Sequence, residues 1–404
     1  MSTNPSRRPV AMIVHAYYEE DQRVRREAEA LVAAGRPVDV YALRRLDDEP
    51  TGTLHGVTVR RLDVRRHQGA GLGVYLVEYL NFLARSCFAV TAAHRRRRYA
   101  LLQIHSLPDF LAFAGLPLRL VGVPLILDLH EAMPEFFRVR FPRAGGRVMH
   151  RLLEIQERLS IALANRVLTI NDPLGNRLLG LGVPAGKLLV INNAPMLDRF
   201  DPAAHPRRAF AEDGVVRLIY TGALSPIYEL DLVLRALGRL RRERPELDLR
   251  LDVYGRDYGE TGWPDLAREI GLGDRVTFHG RIPIEEIPAA MARADIGLAP
   301  TRRSSFTEFT MSTKLLEYAV MGKSVVASGL PHVIDTFGDR VATYEPGDEV
   351  SLTAAIADVI DDADRRDQRI GAAGRSVRDV AERDTARYLE LVEELAEDGA
   401  QRQR

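Results

Sequence analysis

Short runs of valine, isoleucine and leucine alternate along almost the whole chain with segments in which apolar residues recur at helical spacing. This alternation is typical of parallel sheets that helices cover on both faces. In the first half of the chain the runs predict strands at residues 10–14, 38–43, 57–62, 101–105, 125–129, 167–170 and 188–191. In the second half they predict strands at residues 216–220, 249–254, 276–279, 296–299 and 324–327. The pattern therefore predicts an α/β protein.

The first helix is predicted from its ends as well as from its middle. Asp21 stands where an N-cap is expected, since its side chain can accept a hydrogen bond from a backbone N–H of the first turn. Val24, Ala28 and Leu31 follow at helical spacing, and Gly35 is the residue type that commonly ends a helix. A strand followed by such a helix is the repeating part of a doubly wound sheet.

A connection between two domains is predicted at residues 192–206, which are rich in asparagine, proline and aspartate and lack periodicity. The predicted fold is α/β, with two Rossmann-like, doubly wound domains at residues 1–195 and 207–380 that face each other across a cleft. Residues 381–404 are expected to form an acidic amphipathic helix that packs back on the N-terminal domain. Parallel sheets bind ligands beyond the carboxyl ends of their strands, so this arrangement favours a binding function.

The composition is that of a soluble globular protein, because 46% of the 404 residues are hydrophobic and 28% are charged. It excludes a disordered chain, a collagen and a disulfide scaffold. Cys87 is the only cysteine, so no intrachain disulfide can form and a reduced intracellular setting is favoured. The dinucleotide pattern G-x-G-x-x-G is absent after the first strand, which disfavours a nicotinamide or flavin enzyme, and no cofactor is expected.

Neither a secretory signal nor a membrane-spanning helix is predicted. Residues 1–10 lead directly into the first strand without a cleavage pattern. The longest apolar stretch, residues 107–129, is interrupted by charged residues and prolines, so a helix followed by a buried strand is expected there. The protein is therefore expected to be cytoplasmic.

Positive charge is concentrated in the first half of the chain. Residues 1–200 carry 28 basic and 19 acidic side chains, whereas residues 201–404 carry 28 and 37. Unless these charges are simply solvated, the first half is expected to meet an anionic partner such as a phosphorylated acceptor or an acidic membrane. Residues 72–90, followed by residues 94–99 (HRRRRY), fit an amphipathic helix in peripheral contact with an anionic membrane. They also fit a core-packed helix with a solvated basic end.

The most informative stretch is residues 312–327 (STKLLEYAVMGKSVVA). Ser312 or Thr313 can cap a helix whose first amides and dipole attract phosphate. Lys314 adds a positive charge in the first turn, where the helix dipole opposes it, so a ligand is the expected reason for its presence. Glu317 shares its face and can accept hydrogen bonds from sugar or ribose hydroxyls. The alternative is a surface ion pair between the two side chains.

Lysine is rare in this chain, because Lys187, Lys314 and Lys323 are the only lysines among 56 basic residues. Arginine therefore serves wherever a generic positive charge suffices. Two lysines around one short helix indicate a site that needs a compact ammonium group, such as one that contacts a pyrophosphate.

Residues 312–328 (STKLLEYAVMGKSVVAS) resemble the nucleotide-sugar motif of the retaining glycosyltransferases of family 4, which have the GT-B fold. Further segments resemble the first helix and the successive strand ends of that family in the same order. They are residues 20–35, 104–109, 127–135, 220–224, 251–256, 276–281 and 294–300. The resemblance spans nearly the whole chain, and the ordered set is more specific than any single piece.

The resemblance implies a retaining, metal-independent glycosyltransferase that moves a hexose from a nucleoside diphosphate sugar, uridine rather than guanosine, to a glycan, lipid-linked or small-molecule acceptor. It implies no nucleic acid partner. The catalytic residues would be His130, which faces the transferred sugar, together with Lys314 and Glu317, of which Glu317 binds the ribose. Asp21 and Arg23, just after the first strand, are expected on the acceptor side.

The implied nucleotide-sugar site lies at the strand ends and the first turn of one helix in the second domain. Gly222 would let a loop approach the donor phosphates closely, and the backbone near Arg281 and Ile282 would hold the base. The whole set is Gly222, Ala223, Arg256, Arg281, Ile282, Ser312, Thr313, Lys314, Leu315 and Glu317.

Two regions depart from the family pattern. Phe309 stands where the first of two spaced glutamates is common, and Glu308 is one place out of register. Ala223 and Tyr228 occupy a loop in which the family often has an arginine and a lysine. A catalytically inactive nucleotide-sugar-binding homologue, or a subunit of a glycosyltransferase pair, is therefore an alternative to an active enzyme.

Phosphate binding would then depend on Lys314, the helix amides and Arg256 or Arg302. A sugar-nucleotide epimerase of the same fold is a further alternative, and it would need additional acid and base carboxylates. No metal site is predicted, because no Asp-x-Asp pair follows a strand and the histidines lack the spacing of zinc ligands.

Overall fold

The computed structural model describes residues 7–67, 71–140, 146–206, 208–256 and 261–402. Residues 1–6, which belong to the segment for which no secretory signal is predicted, lie outside the described residues. The chain forms two compact units by its internal contacts. Unit 1 consists of Met1–Asn193 together with Glu382–Arg404, and unit 2 consists of Ala194–Ala381.

Unit 1 is built on a sheet of eight strands. The strands are β1 (Val10–Ile13), β2 (Val38–Leu43), β3 (Thr51–Leu54), β4 (Val57–Leu62), β5 (Leu101–His105), β6 (Leu125–Leu129), β7 (Arg166–Thr169) and β8 (Leu188–Val190). They lie in the order β3-β4-β2-β1-β5-β6-β7-β8, and β3 is antiparallel to β4 while the other neighbouring pairs are parallel. The helices of this unit are α1 (Gln22–Ala33), α2 (Leu72–Arg97), α3 (Leu116–Leu120), α4 (Met133–Arg140), α5 (Arg147–Leu163) and α6 (Asp172–Gly180).

Strand β1 shows why the apolar runs are continuous. Ala11 and Ile13 belong to one hydrophobic cluster, and Val10 and Met12 belong to another. Because successive side chains of a strand point to opposite faces, both faces of the sheet are covered. The second cluster also contains Tyr388 and its helical neighbours, which belong to unit 1.

Unit 2 is built on a six-stranded, all-parallel sheet. The strands are β9 (Val215–Thr221), β10 (Asp248–Tyr254), β11 (Val276–Gly280), β12 (Ile296–Ala299), β13 (Ser324–Ser328) and β14 (Ala342–Tyr344), in the order β11-β10-β9-β12-β13-β14. The helices are α7 (Leu230–Glu243), α8 (Trp263–Glu269), α9 (Ile287–Ala292), α10 (Thr313–Val320), α11 (Pro331–Phe337) and α12 (Glu349–Asp361). Helix α13 (Ala363–Arg402) completes the chain. Two doubly wound α/β sheets are thus confirmed.

The structure differs from the predicted elements in three places. Strands β3 and β14 were not predicted, because β3 has the half-exposed sequence TGTL and β14 has three residues. Helix α13 begins far ahead of the predicted 381–404 segment. Residues 107–129 contain a 3-10 helix (Asp109–Gly115) before α3 and β6, in place of one regular helix.

Helix α2 buries one stripe and exposes another. Phe82 and Val90 are fully buried against the sheet of unit 1, as the core-packed alternative requires. Val77 and Phe88, however, are 68% and 78% exposed. Among the described residues, no helix combines the length and the low polarity that crossing a bilayer would require.

Candidate nucleotide-sugar site

The predicted donor residues of unit 2 follow four neighbouring strands. Gly222 comes after β9, Arg256 after β10, Arg281 after β11, and α10 is on the connection between β12 and β13. Because β11, β10, β9 and β12 are adjacent and parallel, their carboxyl ends form one edge of the sheet. The fold therefore brings the predicted set to the edge where doubly wound sheets bind ligands.

Gly222 is required by its backbone and by its surroundings. Its φ of +130° is one that residues with a side chain rarely adopt. A Cβ at this position would lie 3.0 Å from Cε and 3.2 Å from Nζ of Lys314. The Gly222 N–H donates to the carbonyl of Tyr254 at 2.9 Å, and a Cβ on Gly255 would collide with the Gly222 carbonyl oxygen. The two glycines thus let the backbone after β9 approach both the backbone after β10 and the Lys314 side chain closely.

The ammonium of Lys314 is buried among aromatic rings. The residue is 4% exposed, and its Nζ lies 3.7 Å from the ring centroid of Tyr228 and 4.7 Å from that of Tyr220. Among the described residues, no hydrogen-bond acceptor or ion-pair partner contacts Nζ. Burial lowers the pKa of Lys314 to about 7, although the charge of Glu317 opposes this shift. A buried cation without an acceptor is costly, so the site favours an anionic ligand.

Helix α10 places Lys314 and Glu317 on the same side, three residues apart, and both are buried. Ser312 is the N-cap, but its side chain makes no capping hydrogen bond, so the predicted capping bond is not formed. Leu315 and Leu316 face the hydrophobic core of unit 2. The helix is therefore anchored by its apolar side. In its first turn the Leu315 N–H donates to the Ser312 carbonyl at 3.1 Å, and no side chain caps the N-terminus.

The loop after β9 is held by side chains that the sequence did not single out. The hydroxyl of Tyr220 donates to the carbonyl of Ala223 at 2.7 Å. At the far end of the loop, buried Glu229 accepts a hydrogen bond from Tyr344 at 3.0 Å, and burial raises the pKa of its carboxyl group. Tyr318 contacts the end of β9, since its hydroxyl accepts from the Thr221 N–H at 2.9 Å. Aromatic residues at strand ends were the available sequence signal.

The position of the family's first glutamate is filled by a half-buried Phe309, and Glu308 beside it is exposed. Thr307 is buried and fixes this short turn, because its hydroxyl donates to the Arg302 carbonyl at 2.7 Å and accepts from the Ser304 N–H at 2.8 Å. The side chains of Arg256 and Arg281 are exposed, and Ile282 packs against the core.

In unit 1, His130 belongs to a buried charged cluster. Asp128 is fully buried and accepts two hydrogen bonds from Arg23, each of 2.8 Å, as well as bonds from His105 at 3.1 Å and His130 at 3.0 Å. Burial opposes the ionised form, but Arg23 and His130 hold the pKa of Asp128 well below its usual value. Burial lowers the pKa of His130, but the neighbouring Asp128 carboxylate more than offsets this effect, so the pKa of His130 lies above its ordinary value.

This cluster fits a network of hydrogen bonds better than a metal ion. The ligating atoms of His105, Asp128 and His130 lie within 4.8 Å of one another, which is close enough for a shared cation. The Arg23 guanidinium, however, already occupies both oxygens of Asp128 and places a positive charge beside it. A divalent cation would have to displace that arginine.

Asp21 and Arg23 are both engaged within unit 1. Asp21 caps α1, because its carboxylate accepts from the Val24 N–H at 3.1 Å. Arg23 is buried, and besides Asp128 it contacts the carbonyl of Ile191 at 2.7 Å. These contacts account for both residues structurally, and an acceptor-side role stays a prediction.

Family models match both units. The model described as "Glycosyl transferase 4-like domain" matches residues 21–194, and that described as "Glycosyl transferases group 1" matches residues 216–362. The two matches together cover most of the chain.

Known proteins are similar along much of the chain. One relative is a GDP-mannose-dependent alpha-(1-6)-phosphatidylinositol monomannoside mannosyltransferase of Mycolicibacterium smegmatis. It is 32% identical over 44% of this chain, and the matched part spans 48% of its own length, so this chain covers about half of that relative. A D-inositol 3-phosphate glycosyltransferase of Geodermatophilus obscurus is 27% identical over 82% of this chain and 75% of its own. The solved structure of sucrose-phosphate synthase from Thermosynechococcus elongatus matches 96% of this chain and 99% of its own, with a TM-score of 0.76 and 19% identity. The last match confirms the predicted fold.

Proposed function

The chain belongs to the GT-B glycosyltransferases of family 4 type, and we propose that it transfers a hexose from a nucleoside diphosphate sugar with retention of configuration and without a metal ion. We expect uridine rather than guanosine as the donor base, whereas one relative is named for GDP-mannose. The proposed acceptor is a glycan, a lipid-linked sugar or a small molecule. The names of two relatives contain a phosphatidylinositol monomannoside and an inositol phosphate, which supports a phosphorylated polyol or its lipid.

The single observation that carries this proposal is the buried ammonium of Lys314. Its N–H groups have no acceptor among the described residues, and the first turn of α10 beside it has no side-chain cap. A diphosphate would supply acceptor oxygens to both. Charge-assisted hydrogen bonds of this kind are about twice as strong as neutral ones.

In the proposed reaction the acceptor hydroxyl attacks the anomeric carbon on the face that the diphosphate leaves. The new bond joins the acceptor oxygen to that carbon, the bond to the phosphate oxygen breaks, and the hydroxyl proton passes to the leaving phosphate. Lys314 and the α10 amides stabilise the charge that develops on the diphosphate, which is how preorganised donors accelerate such a step. Glu317 accepts hydrogen bonds from the ribose hydroxyls.

His130 is proposed to face the transferred sugar. Its imidazole is 18% exposed, and its Nε2 is hydrogen-bonded to the Asp128 carboxylate at 3.0 Å. A histidine oriented in this way can offer a hydrogen bond or its backbone carbonyl to a sugar hydroxyl or a developing positive charge.

Peripheral contact of unit 1 with an anionic membrane is proposed for a lipid-linked acceptor. The exposed Val77 and Phe88 of α2 precede a last turn that contains the exposed Arg95 and Arg96. Apolar side chains beside arginines suit the interface of an acidic bilayer. Vesicles with and without phosphatidylinositol would test it, because only the anionic vesicles should retain the protein on flotation.

A binding-only homologue is the second candidate, and Phe309 in the place of a family glutamate is the observation that favours it. An epimerase is the third candidate, and it would need acid and base carboxylates in addition to Glu317, whose charge acts on Lys314. Incubation with a labelled nucleotide sugar separates the three. The products would be free diphosphate with a new glycoside, an isomerised donor, or an unchanged donor that binds saturably.

A thermal-shift screen against uridine, guanosine and adenosine diphosphates tests the donor site first. A ligand that binds the native state alone raises Tm by mass action, so one diphosphate should stabilise the wild type. The shift should vanish in Glu317→Ala and persist in Glu269→Ala, whose exposed carboxylate lies on α8. Absence of a shift with all three diphosphates would contradict the proposed donor site.

A further inference from the structure

Lys314 lies in a corner formed by two aromatic rings. The rings of Tyr220 and Tyr228 are 5.9 Å apart and inclined by 70°, and Nζ lies 3.7 Å from one centroid and 4.7 Å from the other. Both distances are within the range in which the ring quadrupole attracts a cation. Strand β9 supplies Tyr220, and the loop after Gly222 supplies Tyr228.

An aromatic ring and a carboxylate both stabilise a neighbouring ammonium, but only the ring leaves the N–H groups of that ammonium available to a ligand. A carboxylate paired with Lys314 would neutralise the charge and occupy its donors, and a diphosphate would have to displace it. A ring face stabilises the cation and accepts no strong hydrogen bond, so the N–H groups stay available. Gly222 completes the corner, since a side chain there would press on Nζ.

We propose that Tyr228, together with Tyr220, forms an aromatic seat that stabilises the charged form of Lys314 and orients its ammonium toward the donor diphosphate, in place of a cationic loop residue. Tyr228 is thus a positioning residue that acts through Lys314. The inference rests on the proposed function only in naming a diphosphate as the anion that Lys314 binds. The contacts of Lys314 with the two rings are present in unit 2 without any ligand.

The presence of only three lysines makes the seat directly measurable. Protein labelled with ¹³C-lysine should give three Cε signals, and the signal lost in Lys314→Arg identifies Lys314. Lys187 and Lys323 serve as internal references, since each donates to a backbone carbonyl. In the wild type the Hε protons of Lys314 should be shifted upfield by the ring currents, and its pKa should be about 7. Ordinary Hε shifts at Lys314 would overturn the seat without any variant.

Substitution of Tyr228 tests its contribution. Tyr228→Leu should lower the pKa of Lys314 by roughly 0.4 to 1.5 units, because a cation–π contact contributes about 0.5–2 kcal/mol and one pKa unit corresponds to about 1.36 kcal/mol. Tyr228→Phe keeps the ring and should restore the wild-type value. Phe210→Leu is the matched control, since it removes the ring under the Arg366 guanidinium at 3.8 Å. An unchanged pKa in Tyr228→Leu, or an equal loss in Tyr228→Phe, would refute the proposal.

Donor binding separates this inference from the proposed function. Calorimetry with UDP-glucose and GDP-mannose between pH 6 and 9 should show affinity for one probe that falls as Lys314 loses its proton. The sugar-linked diphosphate lacks the terminal phosphate group that titrates near pH 6, so this change belongs to the protein. Tyr228→Leu should bind about 2- to 30-fold more weakly at pH 7.5. Failure of the wild type to bind either probe would refute the proposed donor site, whereas wild-type binding that is unchanged in Tyr228→Leu would refute the seat.

Discussion

Replacement of Gly222 by alanine tests the proposed donor site. Gly222 follows strand β9, and a side chain there would contact Lys314. The new Cβ would lie 3.0 Å from Cε and 3.2 Å from Nζ of Lys314, which is tighter than ordinary van der Waals contact. The ammonium must therefore move by a few tenths of an ångström. The φ of +130° adds backbone strain, of order 1–3 kcal/mol for a residue with a side chain.

Gly214→Ala is the matched control. Gly214 also has a positive φ, +79°, but a Cβ there would meet nothing within 4 Å. Both variants should lose stability, by about 1–3 kcal/mol, and their Tm should fall by about 2–4 °C for each kcal/mol in a unit of this size. The loss in Gly214→Ala measures the cost of a positive φ without a contact. Any further loss in Gly222→Ala reports the contact with Lys314 together with the difference between the two φ values.

Donor affinity separates the two variants. A charge-assisted hydrogen bond contributes about 1.5–3 kcal/mol, so misplacement of the ammonium in Gly222→Ala should weaken donor binding by about 10- to 140-fold. Gly214→Ala should bind the donor as the wild type does. Calorimetric titration with the nucleotide sugar selected by the thermal-shift screen measures both Kd values. Equal affinities for Gly222→Ala and Gly214→Ala would refute the role of this edge in phosphate binding.

Three further outcomes follow from the buried charges. Because the pKa of Lys314 is lowered to about 7, the unfolded chain binds more protons above that pH, so stability should rise from pH 7 to 9 by at most about 1.4 kcal/mol per unit; urea midpoints should show this rise in the wild type and less of it in Lys314→Met. Asp128→Asn should cost about 3–5 kcal/mol in urea unfolding, because buried Arg23 then keeps only its ion pair with Glu27 at 3.3 Å, and combining Arg23→Met with Asp128→Leu should recover part of the loss. The same Asp128→Asn change should lower the raised pKa of His130, as an NMR titration of its imidazole would show; an unchanged value would contradict the assigned cause.

The fold could be predicted from the sequence wherever burial decides the residue type. Central strands such as β1 are buried on both faces, so their apolar runs are continuous and easy to recognise. Strand β3 lies at the sheet edge beside β4, and its sequence TGTL carries no such run. The cap at Asp21 was predicted correctly because it depends on residues three positions apart.

The candidate site could be proposed from the sequence only where residues close together in the chain carry it. Lys314 and Glu317 share one turn of a helix, and the scarcity of lysine drew attention to the first of them. The contacts that explain Lys314 come from Tyr220 and Tyr228, far earlier in the chain, and depend on where β9 and its loop end. Contacts between residues so far apart in the chain depend on the fold. The sequence alone therefore shows that Tyr228 departs from the family pattern, but it does not show that Tyr228 contacts Lys314.

The buried charges of the two units differ in whether they are paired: Asp128 and Arg23 form an ion pair, whereas Lys314 contacts aromatic rings. In unit 1, Asp128 and Arg23 neutralise each other through two hydrogen bonds of 2.8 Å, so this pair has little need of a further ion. In unit 2, Lys314 is desolvated and supported by rings, which lower the cost of its charge without cancelling it. A diphosphate gains more from a charge that is already desolvated than from one that is already paired. On this electrostatic ground we propose the strand ends at Gly222, and not the Asp128 cluster, for the anionic donor.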